Sequence, residues 1–229
     1  MIKIIPKEKR FFSDMGDMNS HFLFSFAHYY DRENESFWNL RVFNDDFLSA
    51  KSGFPMHPHK YYEIMTIVLS GAVTHKDSLG NHIKVSKNQI QVTNTSLWIM
   101  HSEFNEEKED LTLYQVWFAP PDFSPNPIYY TASFSEKDFE NNLFTLASWI
   151  DENENKLSSR LSVKRWIFDE GKSLQIIPNK HLFLYVTSWK IKVNWKEILW
   201  EKFQLRATDE KEINLEFIEK SDFVVIDSE

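Results

Sequence analysis

The chain contains no cysteine. Disulfides and thiolate metal sites are therefore excluded, and nothing in the chain requires an oxidising compartment. Glycine is scarce, with 5 in 229 residues, so Asn, Asp and Ser must form many of the turns. No apolar run approaches the ~20 residues that cross a bilayer. The opening Met1-Ile2-Lys3-Ile4-Ile5-Pro6-Lys7 has no apolar stretch of signal-peptide length. A cytoplasmic location without a membrane partner is the expectation. Positive charge is also in deficit: 26 Lys and Arg against 34 Asp and Glu leave a net charge of -8. Direct nucleic-acid binding is disfavoured, because phosphates need a basic face. The chain also has no glycine-rich phosphate loop, no G-x-S-x-G elbow and no Walker sequence.

Aromatic side chains are abundant, with 20 Phe and 8 Trp, and favour strands. Short β-rich runs separated by turn residues every eight to twelve positions predict an all-β protein, a sandwich or barrel. Half of the 8 prolines lie between Pro120 and Pro127, the best candidate linker. The expected division is residues 1–125 and 126–229, with the short strand Ile2–Ile5 packing on the C-terminal domain. Asn44-Asp45-Asp46 reads as a turn cluster and Asp151–Ser159 as a polar loop. A strand is expected at Glu201–Leu205. The one helical signal is Ser135–Asn142, where Ser135 caps and Asp138 follows three residues later.

The chemistry concentrates in two short stretches, His57-Pro58-His59 and His101-Ser102-Glu103. Side chains two apart on a strand share a face. If the two strands lie close on one sheet, three imidazoles and one carboxylate converge. That donor set suits one divalent transition metal such as iron, manganese, nickel, copper or zinc. An H-x-H pair alone is more often two polar residues near a loop; the same spacing met twice is more specific. Pro55 and Pro58 place the first pair on an edge strand. His75 and His82 flank the Asp77–Asn81 turn and read as surface or turn residues. His21 and His28 sit among aromatics and read as packing residues. Glu63 orients a ligand or is a solvated strand residue. The second half has one histidine, His181, and no H-x-H pair, so no comparable metal cluster is expected there.

The run Gly53-Phe54-Pro55-Met56-His57-Pro58-His59-Lys60 resembles the signature of the pirin family. Glu63, Val68-Leu69-Ser70-Gly71, the stretch His75–Asn81 and His101-Ser102-Glu103 follow in the family's order. Upstream, Phe24–Asp31 and Leu40–Asp46 are similar too, as is Leu113–Trp117. The resemblance is dense over residues 19–120 and thin beyond 130. It implies a bicupin, two β-barrel (jelly-roll) domains, with the metal in the N-terminal one. It implies His57, His59, His101 and Glu103 as ligands and Fe(II) as the metal. Some members open the flavonol quercetin with dioxygen; others are metal-dependent protein partners of transcription regulators. For the first activity, Glu103 is the candidate general base as well as a ligand; the plainer alternative is a permanent ligand. The chain departs from the family at Ser86-Lys87-Asn88-Gln89, where a Pro-Gly-Asp type turn is common. It departs again at Asn94-Thr95-Ser96-Leu97-Trp98, where the family keeps glycine. Leu97 and Trp98 are expected to change this loop or fill space and so restrict substrate access.

Overall fold

The computed structural model describes residues 1–122, 125–150, 155–187, 190–198 and 202–228. Residues 123–124 of the expected linker, 151–154 of the polar loop and Glu201 at the head of an expected strand lie outside the described residues. The structure is nearly all strand and divides into two compact units, Arg10–Phe134 and Met1–Lys9 with Ser135–Glu229.

The strands up to the boundary are β1 (Ile2–Ile5), β2 (Phe11–Asp14), β3 (Met18–Phe22), β4 (Leu40–Leu48), β5 (Gly53–His59) and β6 (Glu63–Ser70). β7 (Ala72–Asp77), β8 (His82–Ser86), β9 (Gln89–Asn94), β10 (Ile99–Phe104), β11 (Leu111–Phe118) and β12 (Ile128–Ser133) complete them. β2 to β12 form two antiparallel sheets, a seven-stranded one in the order β12-β9-β6-β11-β4-β3-β2 and a four-stranded one in the order β5-β10-β7-β8. Their inner faces meet in a core of Leu48, Val68, Leu111 and Leu113 from the larger sheet and Val73 and Val85 from the smaller. Pairing of β12 with β9, from Ile128 opposite Asn94 to Ser133 opposite Gln89, holds β12 in this unit. The boundary therefore falls after Phe134 and not after residue 125.

The second unit repeats the plan, with a six-stranded and a four-stranded sheet. Its core is aromatic: Phe168 stacks on Phe217 at 4.7 Å and Phe217 on Phe223 at 5.4 Å. β1 is the edge strand of its larger sheet, running antiparallel to Gln204–Thr208, with Ile2 and Ile4 on the core. The helix is shorter than expected, Glu136–Phe139, and its start is the expected capping box of Ser135 and Asp138.

Asn44, Asp45 and Asp46 do not form a turn. They lie buried in the middle of β4. Tertiary partners override their turn preference: Asp45 faces the Arg10 guanidinium at 3.3 Å, and Asp46 accepts from the Ser20 hydroxyl. The aromatic segment after β3 is irregular, closed by a bridge between Phe26 and Tyr29.

Candidate metal centre

Register brings the two halves of the motif together. β5 is an edge strand, as its two prolines require. β10 lies beside it, with His101 opposite His57 and Ile99 opposite His59. The rings of His57, His59 and His101 stand 4.6, 4.6 and 4.7 Å apart, and their ligand atoms lie within 4.8 Å of one another. His57 Nδ1 is 2.7 Å from the Pro55 carbonyl, an acceptor, so that nitrogen carries the proton. His57 Nε2 is then a bare lone pair, and it faces His101 Nε2 at 3.1 Å. Ring nitrogens gathered at a common point are what a cation requires, so the triad fits a metal ion.

Burial and neighbouring imidazoles keep His59 and His101 neutral. Burial first, then His101 and His57, pushes His59 down to about 3. Burial, then His57 and His75, pushes His101 down to about 3. Below the ordinary value of 6.5 the unfolded chain takes up protons that these folded histidines refuse, so stability falls as pH falls toward 3. Asp46 has the opposite sign. Burial raises it to about 7, against the Ser20 hydrogen bond, so its contribution fades as pH rises from 3.8 to 7. Two groups outweigh one. Urea unfolding of the metal-free protein is expected to give lower stability at about pH 4.5 than at about pH 6.5, and a flat or inverted profile would contradict this balance.

Glu103 sits between the sheets. A register shift between His101 and Glu103 accompanies its placement. Its Oε1 accepts from Gln91 Nε2 at 2.5 Å and Thr66 Oγ1 at 3.0 Å, and its Oε2 from Gln115 Nε2 at 2.7 Å. The three donors come from β9, β6 and β11 of the larger sheet, so the carboxylate is positioned by both walls of the barrel. Contrary to what the spacing leads one to expect, it does not fall into one group with the three imidazoles; its ligand atom groups with those of His101 and of His75, which the turn-flanking sequence position did not suggest. His75 is buried and not at the surface. It lies opposite Glu103 on β7, with Asp77 opposite His101. The signal was present: His75-Lys76-Asp77 has the same alternate spacing as the two ligand pairs. Burial tends to raise the Asp77 carboxyl, but hydrogen bonds from the Asn81 and His75 side chains and the Asn81 and Leu79 backbone hold it below the usual range. Glu63 is buried and not solvated, while His82 is exposed as expected. His21 lies against Phe12 at 4.9 Å.

A cavity of about 360 Å³ opens on His57, His59 and Glu103. Phe22, Phe26, Phe54 and Trp117 supply apolar walls, and Ser20, Asn44, Asp46 and Gln115 supply polar groups. His28, read from sequence as a packing residue, stands exposed on its lining against Phe11 and Phe22. Trp98 is not on this lining. It is 55% exposed and borders a second cavity with His59, Tyr62 and Trp117. The loop accommodates the lost glycine by placing Ser96 at φ 50°, while Asn94 Oδ1 accepts from the Ser96 amide at 3.0 Å. Trp98 therefore fills no part of the cavity that opens on His57, His59 and Glu103.

Residues 6–118 match the Pirin family. A pirin-like protein of Caulobacter vibrioides is 36% identical over 72% of this chain and 71% of its own. The chain belongs to the pirin family. A further family relative, quercetin 2,3-dioxygenase of Escherichia coli K12, is 33% identical over 85% of this chain and 84% of its own. The E. coli YhhW crystal structure superposes with a TM-score of 0.93 at 29% identity, covering 100% of this chain and 98% of that one. A second YhhW structure, a bacterial pirin in complex with nickel(II), gives a TM-score of 0.92 at 29% identity, covering 100% and 99%. The pirin bicupin fold accounts for the two similar units described above. Among the described residues both side-chain groups able to hold a metal lie in the N-terminal unit, and no helix is long and apolar enough to cross a membrane.

Proposed function

We propose that this pirin holds one divalent transition metal on His57, His59, His101 and Glu103 and opens a flavonol-type ring with dioxygen, in the cytoplasm. Fe(II) is the first candidate; Mn, Ni, Cu and Zn suit the same donors. The observation that carries the reading is the aromatic-walled cavity that ends on two of these imidazoles and on Glu103. A bound ion supplies Lewis acidity toward an enolate oxygen. The chain's own residues do the rest. Phe22, Phe26, Phe54 and Trp117 hold a planar ring system by stacking and edge contacts and exclude water around it. The polar groups at Ser20, Asn44 and Gln115 orient its hydroxyls. Glu103 receives the proton of the reacting hydroxyl, its carboxylate aimed by Thr66, Gln91 and Gln115.

The test is oxygen consumption with quercetin by protein loaded separately with each metal. Turnover with at least one metal is expected, and Glu103→Gln is expected to lower it by roughly a hundredfold or more. A Glu103→Gln protein that keeps its metal and full turnover would remove the base role. If no metal supports turnover, the dioxygenase reading fails in favour of a metal-dependent protein-binding module.

A further inference from the structure

Beside the three imidazoles lies a histidine that the proposed ligand set does not use. The ring of His75 is fully buried and stands 5.4 Å from that of His101. Its Nε2 is 2.9 Å from Asp77 Oδ2. Asp77 already accepts from the Leu79 and Asn81 backbone amides through Oδ1 and from Asn81 Nδ2 through Oδ2. Such a carboxylate acts as acceptor only, so His75 Nε2 carries the proton. His75 Nδ1 is then a bare lone pair, and it has no hydrogen-bond partner among the described residues.

His101 has the complementary shortfall. A histidine that ligates through Nε2 carries its proton on Nδ1, and that proton needs an acceptor. His101 Nδ1 is also buried without a partner among the described residues. An orphan donor and an orphan acceptor thus sit on adjacent rings, and buried polar groups rarely go unsatisfied. One ring nitrogen of each histidine and a Glu103 oxygen lie within 4.8 Å of one another, and rings whose centroids are 5.4 Å apart leave their nitrogens within reach of one bridging water. His75 is also tied to the other side of the site. It stacks on Tyr129 at 4.3 Å, and the Tyr129 hydroxyl donates to Gln91, which in turn donates to Glu103.

We propose that His75, fixed by Asp77, is the positioning residue for His101: it accepts the His101 Nδ1 proton, directly or through one water, when His101 Nε2 binds the metal. The chain Asp77–His75–His101 then selects the ligating tautomer and holds the ring at its binding angle. This rests on the metal set proposed above. His75 does not touch the cavity lining, so its effect is on the metal and not on the substrate.

The experiment measures Ni(II) affinity by chelator competition and the imidazole N–H resonances of the Zn(II)-loaded, ¹⁵N-labelled protein. His75→Phe keeps the ring against Tyr129 and removes the acceptor; it is expected to weaken Ni(II) roughly ten- to hundredfold. The His101 N–H signal that Zn(II) induces in the wild type is expected to be lost. His75→Gln restores an acceptor oxygen and is expected to recover most of both. Asp77→Asn preserves the packing. The two backbone amides hold its carbonyl oxygen, so its NH₂ faces His75, drives the proton to Nδ1 and sets two donors against each other. Its expected effect matches that of His75→Phe. Unchanged affinity and an unchanged N–H signal in His75→Phe and Asp77→Asn overturn the relay alone. A wild-type protein that takes up neither metal overturns the ligand set and the relay together.

Discussion

Replacing His57 and His101 together by alanine is expected to abolish metal uptake. The pair faces across 3.1 Å, and each ring supplies a lone pair that nothing else in the triad can replace. His59 alone would remain beside the engaged carboxylate of Glu103, too few donors for a tight transition-metal site. The loss should be visible thermodynamically. A ligand held a thousandfold above its Kd stabilises the fold by about 4 kcal/mol. That metal-dependent gain in melting temperature should vanish in the double variant. Metal analysis and thermal melts with and without Ni(II) are the measurements. Full metal occupancy in the double variant would sink the assignment, because the ion would have to sit elsewhere.

The second large effect is expected at a glycine with no chemistry of its own. Gly53 opens β5 and lies against β10 so closely that an added Cβ would stand 2.5 Å from the Glu103 carbonyl oxygen and 2.6 Å from Phe104 Cα. Both obstacles are backbone and cannot swing aside. Gly53→Ala must therefore push β5 off β10, the pairing that sets His57 opposite His101. Overpacking of a side chain typically costs 1–3 kcal/mol; with backbone on both sides, a loss of about 3 kcal/mol or more is expected, together with weaker Ni(II) binding. Gly16→Ala is the comparison. Gly16 has φ 76° and nothing within 4 Å of an added Cβ, so alanine there meets only the local strain of a left-handed conformation, about 1–2 kcal/mol. Equal urea midpoints for the two variants would contradict the argument from close approach.

The site was legible where two conditions met: alternate spacing and residue types rare in a bland strand. His57, His59 and His101 satisfied both, and the pairing of β5 with β10 follows the spacing logic. The strand rhythm and the packing of β1 on the C-terminal unit were legible for the same reason, because apolar alternation reports burial directly. Buried polar residues defeated the reading. Asn44-Asp45-Asp46 has the composition of a turn, and only the distant Arg10 and Ser20 make it a strand interior. His75 stands next to a real turn in sequence, but its partner in space is Glu103. The prolines break local structure and so suggest a domain boundary, whereas β12 beyond them is held by the distant β9. Local composition carries no information about partners this far apart in the chain.

The position of β1 bears on the order in which the molecule can be made. Ile2–Ile5 leaves the ribosome about two hundred residues ahead of its partner Gln204–Thr208. At the usual ~5–20 residues per second of translation, the strand waits roughly 10–40 seconds for that partner. The unit Arg10–Phe134, which holds the three histidines, has all its strands well before that wait ends. During elongation the nascent chain therefore carries an unpaired, apolar strand that belongs to the unit still being made. Its tendency to stick to neighbouring chains is tempered by brevity and by Lys3 and Lys7 around Pro6, the residues that guard exposed strands elsewhere.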